Sequence, residues 1–156
     1  MENTAGPALP YAVRSDRKTA GTTSTGAVNG TFVDIPFETN DLNEGVSALI
    51  TKPNNTDFRL ALPGIYRASV TLIPDSGAND TGWEGRAVLD GVAIPQSAMK
   101  GSSRANNLEN YGLDKTFVFK TVSANQVVKM QAAPLEGAAV DIVKQSTFFV
   151  ELIRLT

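Results

Sequence analysis

One stretch in the middle of the chain restricts the fold more than any other. Residues 58–73 read FRLALPGIYRASVTLI, two alternating apolar runs around a Pro63-Gly64 corner. Phe58, Leu60 and Leu62 share one side of the first run. Tyr66, Ala68, Val70 and Leu72 share one side of the second, with Arg67, Ser69 and Thr71 between them. Side chains alternate across a strand, so this is the pattern of two strands that each bury one face. Pro63 has no amide to donate and Gly64 tolerates positive φ, so the ladder breaks between the runs.

The same alternation recurs on both sides. Upstream, Val33, Ile35 and Phe37 point one way, and Pro36 suggests an edge or a bulge. Residues 40–44 read as a polar turn and 46–51 as a short strand. Downstream, residues 74–82 (PDSGANDTG) form a loop, and 83–89 resume strand character. Asp90-Gly91 is a two-residue hairpin signal leading into 92–94. Residues 97–114 read as a long polar loop. TFVFKTV (116–122) and QVVKMQA (126–132) are strands around Ser123-Ala124-Asn125. Residues 140–143 suggest a short strand, and STFFVELIRL (146–155) closes the chain. Both faces of that last strand are apolar, which places it in the middle of a sheet or against a partner. Nothing reads as a helix. About eight to ten short strands at hairpin spacing predict an all-β antiparallel sandwich or jelly roll.

Residues 1–30 have a different texture. They are rich in Gly, Ala, Thr, Ser and Asn, with a charged group at Arg14, Asp16, Arg17 and Lys18 and no sustained period. A segment this polar cannot offset its ordering entropy with a core of its own, so a neighbouring chain would have to hold it. The division predicted is an extended docking arm over 1–30 and a folded domain over 31–156. Leu9 and Tyr11 are the arm's apolar anchors, with Arg14 and Arg17 beside them.

At 156 residues the chain fits one domain with a core of its own. Its formal charge is −2 with both signs scattered, so no nucleic-acid or membrane partner is expected. The apolar runs are far too short to span a bilayer as a helix. The stretch MENTAGPALP lacks a basic region followed by an apolar one, so no secretory signal is expected. There is no cysteine and no histidine, which removes thiol chemistry, the commonest general base and the commonest transition-metal ligand.

Taken in order, the pieces VDIPFETN, FRLALPGIYRASVTL, GRAVLDGVAI, TFVFKTVSANQVVKMQA and STFFVELIRL resemble the trimeric jelly-roll domains of the tumour necrosis factor and complement globular-head type. The likeness runs from about Phe32 to Leu155 and is most specific at the Pro63-Gly64-Ile65-Tyr66 corner, where family members carry a Pro-Gly and a tyrosine on the following strand. It implies a ten-strand jelly roll, a homotrimer with the closing strand near the threefold axis, and binding rather than catalysis. No collagen-like stalk is present. Similar domains occur in bacteriophage virions as head fibres, capsid decoration proteins and tail-fibre tips, which this chain resembles more than the secreted animal members.

No stretch supplies a catalytic motif. Asp75, Asp80 and Glu84 offer oxygen ligands, but their spacing is not that of an EF-hand loop, and a solvated acidic loop is the simpler reading. No metal or cofactor is expected. Ser97, Lys100, Ser102 and Ser103 could be combined into a Ser-Lys dyad, but without an S-x-x-K motif on a helix or an oxyanion loop they read as a polar loop. N-x-[ST] sequons at Asn29, Asn54 and Asn79 read as loop asparagines. Trp83 either anchors an exposed contact together with Asp75 and Asp80, or caps the core at a strand start. The phenylalanines of the last strands, 117, 119, 148 and 149, exceed what one face of a small sandwich needs. Phe117, Phe119, Phe149 and Ile153 are therefore assigned to a trimer interface, where burial stabilises by roughly 1.5–3 kcal/mol per large side chain.

The resemblance, taken with these residues, implies three functions in order. The first is a non-enzymatic virion protein, a trimeric capsid decoration or cement protein held on the phage head by its arm, with the major capsid protein as partner. The second is a tail-fibre tip whose loops 74–82 and 97–114 contact a host glycan or protein receptor. A carbohydrate-active enzyme is a distant third.

Overall fold

The computed structural model describes residues 10–21, 23–26, 28–75, 81–103, 113–135, 139–143 and 145–156. Its strands, in chain order, are β1 (Ala12–Arg17), β2 (Thr23–Ser24), β3 (Val33–Asp34), β4 (Thr39–Gly45), β5 (Ile50–Thr51), β6 (Phe58–Leu60), β7 (Gly64–Leu72) and β8 (Pro74–Asp75). There follow β9 (Thr81–Leu89), β10 (Val92–Ala93), β11 (Met99–Ser103), β12 (Leu113–Thr121), β13 (Gln126–Pro134), β14 (Asp141–Ile142) and β15 (Thr147–Leu155). Nine of them are three residues or longer, in line with the alternation read from sequence. The only helical pieces among the described residues are single 3-10 turns at Ser47–Leu49 and Pro95–Ser97.

Two antiparallel sheets make the sandwich. The front sheet has the order β12-β7-β15-β1-β4. The back sheet runs β10-β9-β13-β6-β5, with β11 on the free side of β9 and β3 beside β13. A small third sheet, β2-β14-β8, closes one end. The closing strand β15 lies between β7 and β1, in the middle of its sheet, as its two apolar faces predicted.

The core is the set of inward positions of both sheets. From the front come Tyr66, Ala68, Val70, Leu72, Phe148, Val150 and Leu152; from the back come Trp83, Ala87, Val128, Met130 and Ala132, all buried. Phe37, Phe58 and Phe148 meet at its centre, with the Phe58 and Phe148 rings edge to face at 4.8 Å, a favoured aromatic geometry. Every core residue read from the 58–73 stretch is buried except Leu62, which packs against the cluster while partly exposed.

The Pro63-Gly64 corner works differently from the sequence reading. Gly64 opens β7 and does not have positive φ. Its hydrogen is required because a Cβ there would lie 2.7 Å from the Arg154 carbonyl oxygen, where β15 crosses. The buried Thr121 hydroxyl accepts the Gly64 N–H at 2.8 Å, and the Tyr66 hydroxyl donates to the Leu62 carbonyl at 2.9 Å. Burial pushes the Tyr66 phenol above its usual range. Asp90-Gly91 forms the expected hairpin turn, with φ of 49° and 83°, the two left-handed positions a type I′ turn needs.

The arm predicted over residues 1–30 is corrected from residue 10 onward, residues 1–9 lying outside the described residues. Residues 12–17 are β1, bonded on one side to β15 and on the other to β4, and so belong to the domain itself. Lys18 is buried, with its N–H on the Ser146 carbonyl at 2.8 Å. The strand was hidden because its inward positions carry charge. Arg14 and Asp16 face the core side opposite Val150 and Phe148, and Asp16 is fully buried. Arg14 Nε reaches Asp16 at 2.5 Å, and Lys52 Nζ reaches it at 2.9 Å while also donating to the Phe37 carbonyl. One cation lies on β1 itself and the other just after β5, so no local period records the set. Removing one member of such a buried set costs about 3–5 kcal/mol.

Residues 40–44, read as a turn, lie within strand β4. Residues 46–51 contain a 3-10 turn and only two strand residues. Much of the 97–114 loop is strand: β11 covers Met99–Ser103, and residues 104–112 lie outside the described residues.

Candidate functional site

The front sheet packs one face on the core and leaves the other uncovered. Register places its outward residues in rows. Leu42, Ser15, Phe149, Ser69 and Thr116 form one row across β4, β1, β15, β7 and β12. Glu44, Val13, Glu151, Arg67 and Val118 form the next. Beyond them Ile65 stands between Arg154 and Lys120.

Polar groups on this face pair sideways. Arg67 donates to Glu151 at 2.5 Å, Thr71 donates to Asp114 at 2.5 Å, and the Ser69 and Thr116 hydroxyls meet at 2.7 Å. Val13, between Glu44 and Glu151, is buried, but other apolar side chains on the face have no such cover. Val118 and Ile153 are about half exposed, and Phe149 is half-buried between the small Ser15 and Ser69. Ile153 continues the outward phase of Phe149 and Glu151, and a β-bulge between Leu152 and Arg154 leaves it without a partner in the register. Beside the β12 edge, a groove of about 490 Å³ is lined by Val92, Ile94, Pro95, Val118 and Phe119.

The outer face of the back sheet is built differently. Lys129 Nζ lies 3.0 Å from Asp34 and 2.9 Å from Asp57, and Gln131 donates to Asp34 at 2.9 Å. Arg86 sits 3.5 Å above the Phe32 ring and donates to Gln131 at 3.2 Å. Burial opposes ionisation of Asp57, but hydrogen bonds from Lys129, Thr56 and Asn54 hold its carboxyl below the usual range. Asp57 and Asp34 in turn hold the Lys129 ammonium above its usual range. Asp34, Asp57, Lys129 and Gln131 line a cavity of about 360 Å³ together with Asp90. No cluster of three metal-ligating side chains occurs among the described residues.

The residues singled out from sequence divide sharply. Phe117 and Phe119 are not at an interface: β12 turns them inward, where they are 3% and 7% exposed and Phe119 stacks on Tyr66. Val118, between them, takes the outward position. Phe149 and Ile153 do lie on the open side. Trp83 is not an exposed anchor, because it is fully buried and inward on β9. A Cβ on Gly101 would lie 3.0 Å from its indole nitrogen. Asp75 contributes backbone pairing to β14, while Asp80 and Leu9 lie outside the described residues. Arg14 is committed to buried Asp16 and is not free for docking. Arg17 pairs with Asp41 at the surface. Tyr11 is half exposed, and its carbonyl accepts the Val46 N–H.

No protein-family model and no curated protein matches the sequence. Solved structures match the fold over nearly the whole chain. Murine APRIL superimposes with a TM-score of 0.59 at 10% identity, covering 92% of this chain and 99% of that one. The globular domain of zebrafish complement 1qA gives 0.55 at 10% identity, covering 95% and 99%. Eiger TNF from S. frugiperda gives 0.53 at 8% identity, covering 94% and 95%. At such identities the likeness is one of architecture, and this chain has the jelly-roll fold of the tumour necrosis factor and complement globular-head proteins.

Proposed function

We propose that this chain is a non-enzymatic structural protein that assembles as a homotrimer through the open face of its front sheet and decorates a virion surface, as a capsid cement protein of the head-fibre kind. The observation that carries the reading is the contrast on the front sheet itself. Val118 and Ile153 stay exposed and Phe149 partly so, beside the Arg67–Glu151, Ser69–Thr116 and Thr71–Asp114 pairs that run from strand to strand. Such a surface gains from a second copy more than from a small polar ligand. The absence of histidine and cysteine from the whole sequence weighs against hydrolytic and redox chemistry.

Attachment to the head falls to the residues that precede β1. Tyr11 is the exposed aromatic there, and Leu9 is its apolar neighbour in sequence. Three copies held together raise the effective concentration of each weak contact, so a short segment per copy suffices for stable binding.

The reading is tested by copy number. Purified particles separated on a denaturing gel should show this chain in many copies per major capsid protein hexamer or pentamer set, and the recombinant protein should rebind particles stripped of it. A scarce band together with binding to host cells would replace decoration by the receptor-tip role. Absence from particles would overturn the virion assignment.

A further inference from the structure

Beyond that assembly role, the strap between β2 and β3 carries a chemical feature of its own. Asn29-Gly30 is the single Asn-Gly pair in the sequence. It occupies the centre of a turn closed by the Thr31 N–H on the Val28 carbonyl at 3.1 Å. Gly30 has φ of 69°, the left-handed second position of a type II turn. All four residues are exposed, and apart from Gly30 and its two chain neighbours no described residue has an atom within 4 Å of where a Cβ on Gly30 would be.

We infer that Asn29 is a self-modification site, converted to aspartate and isoaspartate by its own backbone. The Gly30 nitrogen, losing its proton, attacks the Asn29 side-chain carbon Cγ. The new N–Cγ bond closes a succinimide, the Cγ–Nδ2 bond breaks, and the amide nitrogen leaves as ammonia. Water then opens the ring at the side-chain carbonyl to give aspartate, or at the main-chain carbonyl to give isoaspartate. Only glycine leaves the attacking nitrogen unhindered, and the open space beside Gly30 accommodates the ring.

The fold also guards this nucleophile. The Gly30 N–H donates to the Pro134 carbonyl at 3.0 Å, at the end of β13 opposite Trp83. Attack requires that bond to open and the turn to rearrange, so the reaction proceeds from the locally detached strap. Other asparagines lack one element or the other. Asn125 is in the left-handed region but precedes Gln126, whose Cβ hinders attack. The Asn54 carbonyl oxygen is held by the Thr56 and Asp57 N–H groups and the Thr56 hydroxyl. Isoaspartate adds one backbone atom to the four-residue turn. That strands the Gly30 anchor and loosens the strap leading to Phe32 and Asp34.

The test incubates the full chain at mildly alkaline pH, folded and in concentrated urea, and follows each asparagine by peptide mass spectrometry with an isoaspartate-specific methyl-transfer assay. Asn29 should convert first in both conditions and about tenfold more slowly in the folded chain, as expected for one guarding hydrogen bond and a local opening. In urea, where turn strain plays no part, Gly30→Ala should slow conversion at least tenfold. Another asparagine converting first, equal rates in the two conditions, or an unaffected Gly30→Ala chain would each overturn the inference.

Discussion

The outer faces of the two sheets make opposite uses of similar residues. On the back, Lys129 bridges two aspartates contributed by β3 and the loop before β6, and Arg86 covers Phe32. The result is a surface that fastens the chain's own loops and leaves little unsatisfied. On the front, ion pairs and hydroxyl pairs run between neighbouring strands, and Phe149, Val118 and Ile153 are left standing. A face can therefore be rich in paired charge and still leave apolar side chains exposed. What distinguishes it is whether its long polar side chains lie over the apolar groups or beside them.

The contrast can be broken most severely at β12, where one residue step separates core from surface. Phe117→Ala should cost about 3–5 kcal/mol in denaturant unfolding, because it empties a packed site. Val118→Ala in the same measurement should change stability by no more than about 0.5 kcal/mol. Both are best measured in the Phe149→Asp background, so that assembly does not contribute. Similar costs for the two would mean that the faces of β12 are assigned wrongly.

The back face should respond more weakly. Lys129→Met removes the ammonium from two carboxylates that are only partly buried, so the loss at neutral pH should be about 1 kcal/mol or less. Its signature lies in pH. The folded-state pKa of Asp57 is depressed, so its contribution is present above the ordinary 3.8 and lost as pH falls through the lower folded value. That of Lys129 is raised, so its contribution is present below the ordinary 10.5 and lost as pH rises through the higher value. Lys129→Met should flatten both limbs of the stability profile. Wild-type limbs in the variant would show that these pairs do not fasten the face.

The same distinction explains what the sequence disclosed. β7 was legible because each inward position is apolar and each outward one is polar or small, apart from Ile65 at its start. β15 announced its central place through two apolar faces. β12 was legible as a strand but not in its orientation, since Phe117, Val118 and Phe119 are apolar in both phases. The phase is fixed by Thr121, whose hydroxyl must reach Gly64 across the corner. β1 was invisible because Arg14 and Asp16, paired with each other, occupy inward positions, and the second cation on Asp16, Lys52, lies 36 residues away. Burial of charge through long-range pairing leaves no trace in local periodicity, and an interface face leaves only an excess of apolar residues without saying which of them are outside.

The central claim is that the front face joins copies of this chain, and the mass of the particle in solution tests it most directly. Sedimentation velocity or light scattering on the wild-type chain should give three times the protomer mass, and Phe149→Asp should give a folded monomer with unchanged β-sheet circular dichroism. A wild-type monomer, or a Phe149→Asp chain that remains trimeric, would contradict the account.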